Sequence, residues 1–314
     1  MEVYMAINNA MRMALRALSY PELDLKKTYK LQRQLKTAAN PVIRPLYKMW
    51  DHKVCLEDYE IPVRVFLPSP EYTLNKLLIF FHGGGWVIGN IDNYTRVCAN
   101  MAKQTGHLVI SVDYRLAPEY KFPAAPEDCY AVTKEIYENA ELFQVKPEDI
   151  TLIGDSAGGN LAAAVSLMAR DRGSFLPAAQ ILIYPATDSD HSESSPYPSI
   201  IENGRDFLLT SKRICEYMDL YISCEEDLQN PYLAPIRAKD LSGQPRTLII
   251  TAEYDPLRDE AEAYGRKLFE AGNEVEVYRM KDALHGFLSL PKHFVHVKRS
   301  YELMNRFLNG AEKE

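Results

Sequence analysis

Seven short runs rich in β-branched and aromatic residues mark the chain at 63–68 (VRVFLP), 76–81 (KLLIFF), 107–114 (HLVISVDY), 150–155 (ITLIGD), 180–186 (QILIYPA), 246–252 (RTLIITA) and 274–280 (EVEVYRM). Between most of them lie stretches with helical spacing of apolar residues: NYTRVCANMAKQT, PEDCYAVTKEIYENA, GGNLAAAVSLMARDRG and RDEAEAYGRKLFEAG, the last stopped by Gly272. Alternating strand and helix leaves few solutions. The favoured one is an α/β fold with a mostly parallel central sheet flanked by helices, and uninterrupted apolar runs such as LLIFF suit strands buried on both faces.

Two segments stand outside this rhythm. Residues 1–50 read as helices, with NPVIRP as a break before the sheet. Residues 188–245 form a long insertion holding the helical stretch TSKRICEYMDLYISC, and loops of that length in a compact domain are commonly functional. The expected organisation is an α/β core from 51–187 and 246–314, capped by 1–50 and 188–245.

Composition removes several classes. A formal charge of −7 gives no basic footprint for nucleic acid. Five scattered cysteines lack zinc-ligand or C-x-x-C spacing, which fits a reducing cytoplasm. The amphipathic amino-terminal run lacks a signal-peptide h-region, and no segment has the roughly 18 apolar residues of a membrane span. The expected protein is cytoplasmic, with no nucleic acid or membrane as partner.

Gly154-Asp155-Ser156-Ala157-Gly158 is a G-x-S-x-G pattern between a strand and a small-residue helix. In that setting a strained turn lifts a serine oxygen above the sheet, and the helix turns its positive end toward it. Asp255 follows the strand RTLIITA, and His285 follows EVEVYRM. The order Ser156, Asp255, His285 supplies a nucleophile, an acid and a base from three strand ends. Serine needs an imidazole to take its proton, and the imidazole needs a carboxylate to hold its tautomer. Asp188 rivals Asp255 as the acid, while Asp259 and Glu253 are less free to reach a histidine. His191 begins the insertion. His293 and His296 have metal-ligand spacing on a terminal helix but no third ligand, so no metal is expected.

Upstream, His82 is followed by Gly83, Gly84, Gly85 and Trp86. Three consecutive glycines cost backbone entropy, and an oxyanion hole explains them: bare amides approach a reacting carbonyl where side chains would obstruct. Gly83 and Gly84, with Ala157 next to the nucleophile, are the expected donors, and Gly85 serves the turn. His82 is expected to anchor the loop through backbone hydrogen bonds. Trp86 either lines the substrate pocket or packs beneath the cap, and Phe287 is a second pocket candidate. Asp113 and Arg115 are expected to fix the following proline-rich loop by an ion pair, and Asp155 to serve a structural hydrogen bond.

Taken together, HGGGW, DYRLAPEYKFPAAPED, GDSAGGNLA, EYDPLRDEAEAY and HGF resemble the hormone-sensitive-lipase-like family of α/β-hydrolase esterases, from about Val63 to the carboxyl terminus. The resemblance implies a serine carboxylesterase acting on short-chain acyl esters through an acyl-enzyme, with no metal or organic cofactor, a small-molecule ester as substrate, and a homodimer paired through the last strand and its helix. It implies Ser156, Asp255 and His285 as triad, and Gly83, Gly84 and Ala157 as oxyanion donors. An arylformamidase or amidase on the same triad, and a non-catalytic ligand-binding protein, are the alternatives; retention of both Asp255 and His285 weighs against the latter.

Overall fold

A computed structural model describes residues 13–15, 24–42, 47–68 and 76–310. Most of the amino-terminal run, and 43–45 of the expected break, lie outside them. Eight strands form one sheet: β1 (Met49–Cys55), β2 (Glu60–Phe66), β3 (Leu77–Phe81), β4 (Leu108–Val112), β5 (Ile150–Asp155), β6 (Ala179–Ile183), β7 (Arg246–Tyr254) and β8 (Val275–Leu284). Their spatial order is β1-β2-β4-β3-β5-β6-β7-β8. The pairs β1–β2 and β2–β4 are antiparallel, and all others are parallel. The α/β expectation is met, and β1 is an addition to it.

The helices described are α1 (Leu25–Ala39), α2 (Ile91–Thr105), α3 (Ala124–Glu138), α4 (Ala157–Arg172), α5 (Pro198–Asn203), α6 (Ser211–Tyr221), α7 (Arg258–Glu270) and α8 (Val295–Asn309). Strand β3 explains the layering. Leu77, Ile79 and Phe81 point into a core shared with α3, α4 and α7, whereas Leu78 and Phe80 point into one shared with α2 and α8. All five are fully buried, each stabilising the fold by about 1.5–3 kcal/mol. Helix α4 is covered on every side: Ala157 through Ala169 are all buried, and three successive alanines, Ala162 to Ala164, let neighbours approach. Gly173, at φ 62°, caps its end.

Parallel strands share a carboxyl end, so the loops after β3, β5, β7 and β8 converge above one edge of the sheet. Two elements cover that edge. Helix α1 starts at Asp24, whose side chain accepts from the Lys26 amide, and it packs against α2 and α6. The Arg33 guanidinium ties it down: Nε donates to Val87 O and Nη2 to Ala117 O, each at 2.7 Å, and Nη2 lies 3.0 Å from Glu119. The insertion contributes α5 and α6, but its later part, the 3-10 turn Pro235–Arg237, packs on α4 and α7 beside the core.

Candidate active site

Strand β5 ends at Asp155 and α4 starts at Ala157, so one residue must reverse the chain. Ser156 does so at φ 56°, ψ −121°, a region L-residues rarely occupy. The turn closes only because nothing projects from its neighbours. A Cβ on Gly158 would stand 1.9 Å from Phe81 O. The Ser156 amide donates to Ile183 O at 2.8 Å, which fixes the turn against β6.

His285 follows β8 directly and reaches Ser156: Nε2 lies 2.9 Å from Oγ. Its other nitrogen, Nδ1, lies 2.6 Å from Asp255 Oδ2. A carboxylate can only accept, so the proton sits on Nδ1 and leaves Nε2 to accept from the serine hydroxyl. Asp255 is fully buried, and its Oδ1 accepts from the Leu257 amide at 2.9 Å, which holds the carboxylate at the head of α7. The ring of Tyr184 backs the imidazole, with centroids 4.7 Å apart.

The rivals are engaged elsewhere. Asp188 pairs with Arg237 at 2.6 Å and accepts from Tyr197 Oη at 3.0 Å. Asp259 accepts from Arg258 and from the Ser199 amide, and Glu253 from the Asp282 amide. His191 and Glu260, both fully buried, stand 3.0 Å apart as a charge pair without hydrogen-bond alignment. Burial works against the charged imidazole there, yet the Glu260 carboxylate carries its pKa above the ordinary value. His293 precedes α8, its ring tilted by 36° against that of Phe294, while His296 meets Lys281 O at 3.0 Å. They do not share a helical face, and no cluster of potential metal ligands occurs among the described residues.

The glycine loop departs from expectation at one position. The Gly83 amide donates to Asp155 Oδ1 at 2.8 Å and is not available to a substrate. Gly84 and Gly85 line the cavity with Ala157, and among the described residues none of these three amides donates to a protein acceptor. Gly84 sits at φ 130°, with Ile88 O only 1.9 Å from where a Cβ would be. The triplet of free amides is therefore Gly84, Gly85 and Ala157. Asp155 is completely enclosed: burial pushes its carboxyl upward, opposed by the Gly83 amide, the Lys36 charge and the Tyr94 hydroxyl.

His82 anchors the same loop. Its Nδ1 lies 3.0 Å from Gly83 O, its carbonyl accepts from Tyr114 Oη at 2.6 Å, and its ring stacks on Tyr114 at 4.3 Å. Burial pushes its pKa down to about 3, which makes it a poor base. Trp86 both lines the cavity and stacks face to face on Tyr221 of α6, 4.5 Å away with planes 2° apart. Phe287 is a correction: it is buried in the core shared with α8, edge-on to Tyr184, outside the cavity wall. Arg115 pairs with buried Asp128 at 2.7 Å rather than with Asp113, which instead accepts from the Ile91 amide.

The resulting cavity, about 310 Å³, opens onto Ser156 and His285. Its walls include Leu209, Ile214 and Tyr217 from the insertion, Leu257, and Lys36 from α1. Sequence reasoning missed Lys36, which lies in a helix that carries no motif.

Comparison with known proteins adds four findings. The family model of the alpha/beta hydrolase fold matches residues 78–289. The chain is 40% identical over 252 residues to an arylesterase of Saccharolobus solfataricus, spanning 79% of each chain. It is 36% identical over 262 residues to the carboxylesterase NlhH of Mycobacterium tuberculosis, spanning 82% of this chain and 80% of the other. A solved hyperthermophilic esterase from the archaeon Pyrobaculum calidifontis superposes with a TM-score of 0.83 at 34% identity, over 97% of this chain and 98% of that one.

Proposed function

The chain belongs to the alpha/beta hydrolase fold family and is a carboxylic ester hydrolase, and we propose that Ser156, His285 and Asp255 carry the reaction. Ser156 Oγ attacks the ester carbonyl while His285 Nε2 takes its proton. The Asp255 carboxylate steadies the imidazolium that forms. Negative charge developing on the carbonyl oxygen is met by the amides of Gly84, Gly85 and Ala157, each such donor contributing about 2.7–4 kcal/mol. His285 then protonates the departing alcohol, leaving Ser156 acylated. Water enters and gives a proton to His285 as it attacks the acyl carbon; the bond from that carbon to Ser156 Oγ then breaks, and His285 returns the proton to Oγ, releasing the acid and a free serine.

The observation that carries this reading is the continuous relay from Asp255 through His285 to Ser156, at 2.6 and 2.9 Å, beside amides without protein acceptors. The preferred acyl group is short. A cavity of about 310 Å³ stands at the low end of the roughly 300–1,000 Å³ found for small-molecule sites. Helix α1 and the early part of the insertion act as the cap, since both supply its walls.

Ser156→Ala is expected to lower kcat on p-nitrophenyl butyrate by about 10⁴-fold or more, with the far-ultraviolet circular dichroism spectrum retained. Undiminished turnover would refute the assignment.

A further inference from the structure

The cavity wall combines an apolar set of side chains with a polar one. Leu209, Ile214, Tyr217 and Leu257 supply the first. The second is Lys36, with Tyr94 and with Gly286 and Ser289 from the loop after His285. These parts adjoin one another. The Lys36 ammonium lies 5.2 Å from the centroid of the Tyr94 ring, α2 contacts the 3-10 turn Phe287–Ser289, and Arg96 donates to Ser289 O. Thr37, the next residue of α1, accepts from the side chains of Asn90 and Asn93, which fixes that turn of helix against α2.

A lysine in such a place normally has a carboxylate for company. Among the described residues none lies within 4 Å of the Lys36 ammonium. Asp155, the acidic group that its charge feels, spends its carboxylate on the Gly83 amide and the Tyr94 hydroxyl. Burial pushes the Lys36 pKa down, the Asp155 charge only partly opposing it, so the cation is kept at a cost that the protein does not fully offset. The other lysines of α1 differ: Lys26 and Lys27 pair with Asp219 and Asp24, and Lys30 is exposed, over the Tyr29 ring.

We infer that Lys36 recognises an anionic group on the substrate, so that the enzyme favours esters whose alcohol portion carries a carboxylate or comparable negative charge. This rests on the ester-hydrolase reading and deepens it. The side of the ester follows from placement. His285 must hand its proton to the departing oxygen, and Lys36 belongs to the same set as the residues just after His285. The acyl group then lies against the apolar side chains.

The test compares 4-acetoxybenzoate with its neutral isostere 4-acetoxybenzamide, which release the same acyl group. The wild-type kcat/KM is expected to favour the carboxylate by about tenfold, mainly through KM, as for a charge-assisted contact. Lys36→Met and Lys36→Gln should each bring that ratio close to one. No preference in the wild type, or an equal preference in both variants, overturns the inference. So does a loss in both variants that falls alike on the two esters, because it would make Lys36 a counter-charge for Asp155 alone. Should the wild type turn over neither ester, nor p-nitrophenyl acetate, the ester-hydrolase reading itself fails, a result distinct from loss of charge preference.

Discussion

The turn beneath the substrate and the cap above it are held by different physics. Below, Ser156, Gly158 and the start of α4 are locked by backbone-to-backbone approach, with buried neighbours on all sides. Above, α1 buries Leu25 but leaves Leu31 51% and Leu35 60% exposed, and it is held mainly by the polar reach of Arg33. Interior packing tolerates almost no change in shape, whereas a few hydrogen bonds, each contributing about 1 kcal/mol net, allow adjustment. Reacting atoms need fixed distances; a wall that selects among esters does not. Under the function proposed above, the contrast puts chemistry in the rigid layer and choice of substrate in the adjustable one.

Three substitutions sharpen or break this contrast. Gly158→Ala attacks the lower layer, because the added methyl meets the Phe81 carbonyl with no room to withdraw. It is expected to cost more than about 4 kcal/mol of stability in a denaturant titration. A midpoint like the wild type's would mean that the turn is softer than its packing implies.

Asp113 stands between the layers, at the end of β4, where it accepts from the first amide of α2. Burial raises its pKa from 3.8 to about 6, against the pull of the Ile91 amide. The folded state thus binds the proton more tightly than the unfolded chain, so stability falls as pH rises from about 4 through about 6. Asp113→Asn keeps an acceptor and removes the charge. Relative to wild type it should be neutral near pH 4 and stabilising by up to about 3 kcal/mol at pH 7, as read by thermal melts across that range. A pH-independent difference would rule out this origin.

Arg33→Ala attacks the cap. With its hold on Val87 O and Ala117 O removed, KM for p-nitrophenyl butyrate is expected to rise roughly fivefold, equivalent to about 1 kcal/mol, with little change in melting temperature. A melting loss as large as that from Gly158→Ala would erase the distinction between the layers.

Much of the lower layer could be read in the sequence because it is governed by local rules. The strand-to-helix turn at 154–158 and the strand ends bearing Asp255 and His285 declare themselves by residue type and order. Strand β1 did not. Four consecutive residues of Trp50–Lys53 are exposed on an edge, so the run carries no buried apolar alternation. The displaced oxyanion donor escaped for another reason. The parallel register sets Phe81 beside Gly154, which brings Asp155 against Gly83 and consumes that amide. Such pairing between strands far apart in sequence leaves no mark on either. The same holds for Arg115: its true partner, Asp128, lies one helix away and is completely buried, while Asp113 is merely nearer in sequence. Phe287 sits two residues from His285, yet its side chain turns into the core, a direction that motif spacing does not encode. Lys36 illustrates the limit of motifs altogether, since a helix distant in sequence supplies one side chain to the cavity.

The parallel rings of Trp86 and Tyr221 join the glycine loop to the insertion. The chain has only two tryptophans, and the other, Trp50, is 45% exposed on the edge strand. Any lifting of the insertion must peel one aromatic plane from the other and admit solvent to the indole, which shifts its emission. Intrinsic fluorescence is consequently a label-free gauge of how far the entrance has opened, and it reports from the same loop whose Gly84 and Gly85 line the cavity.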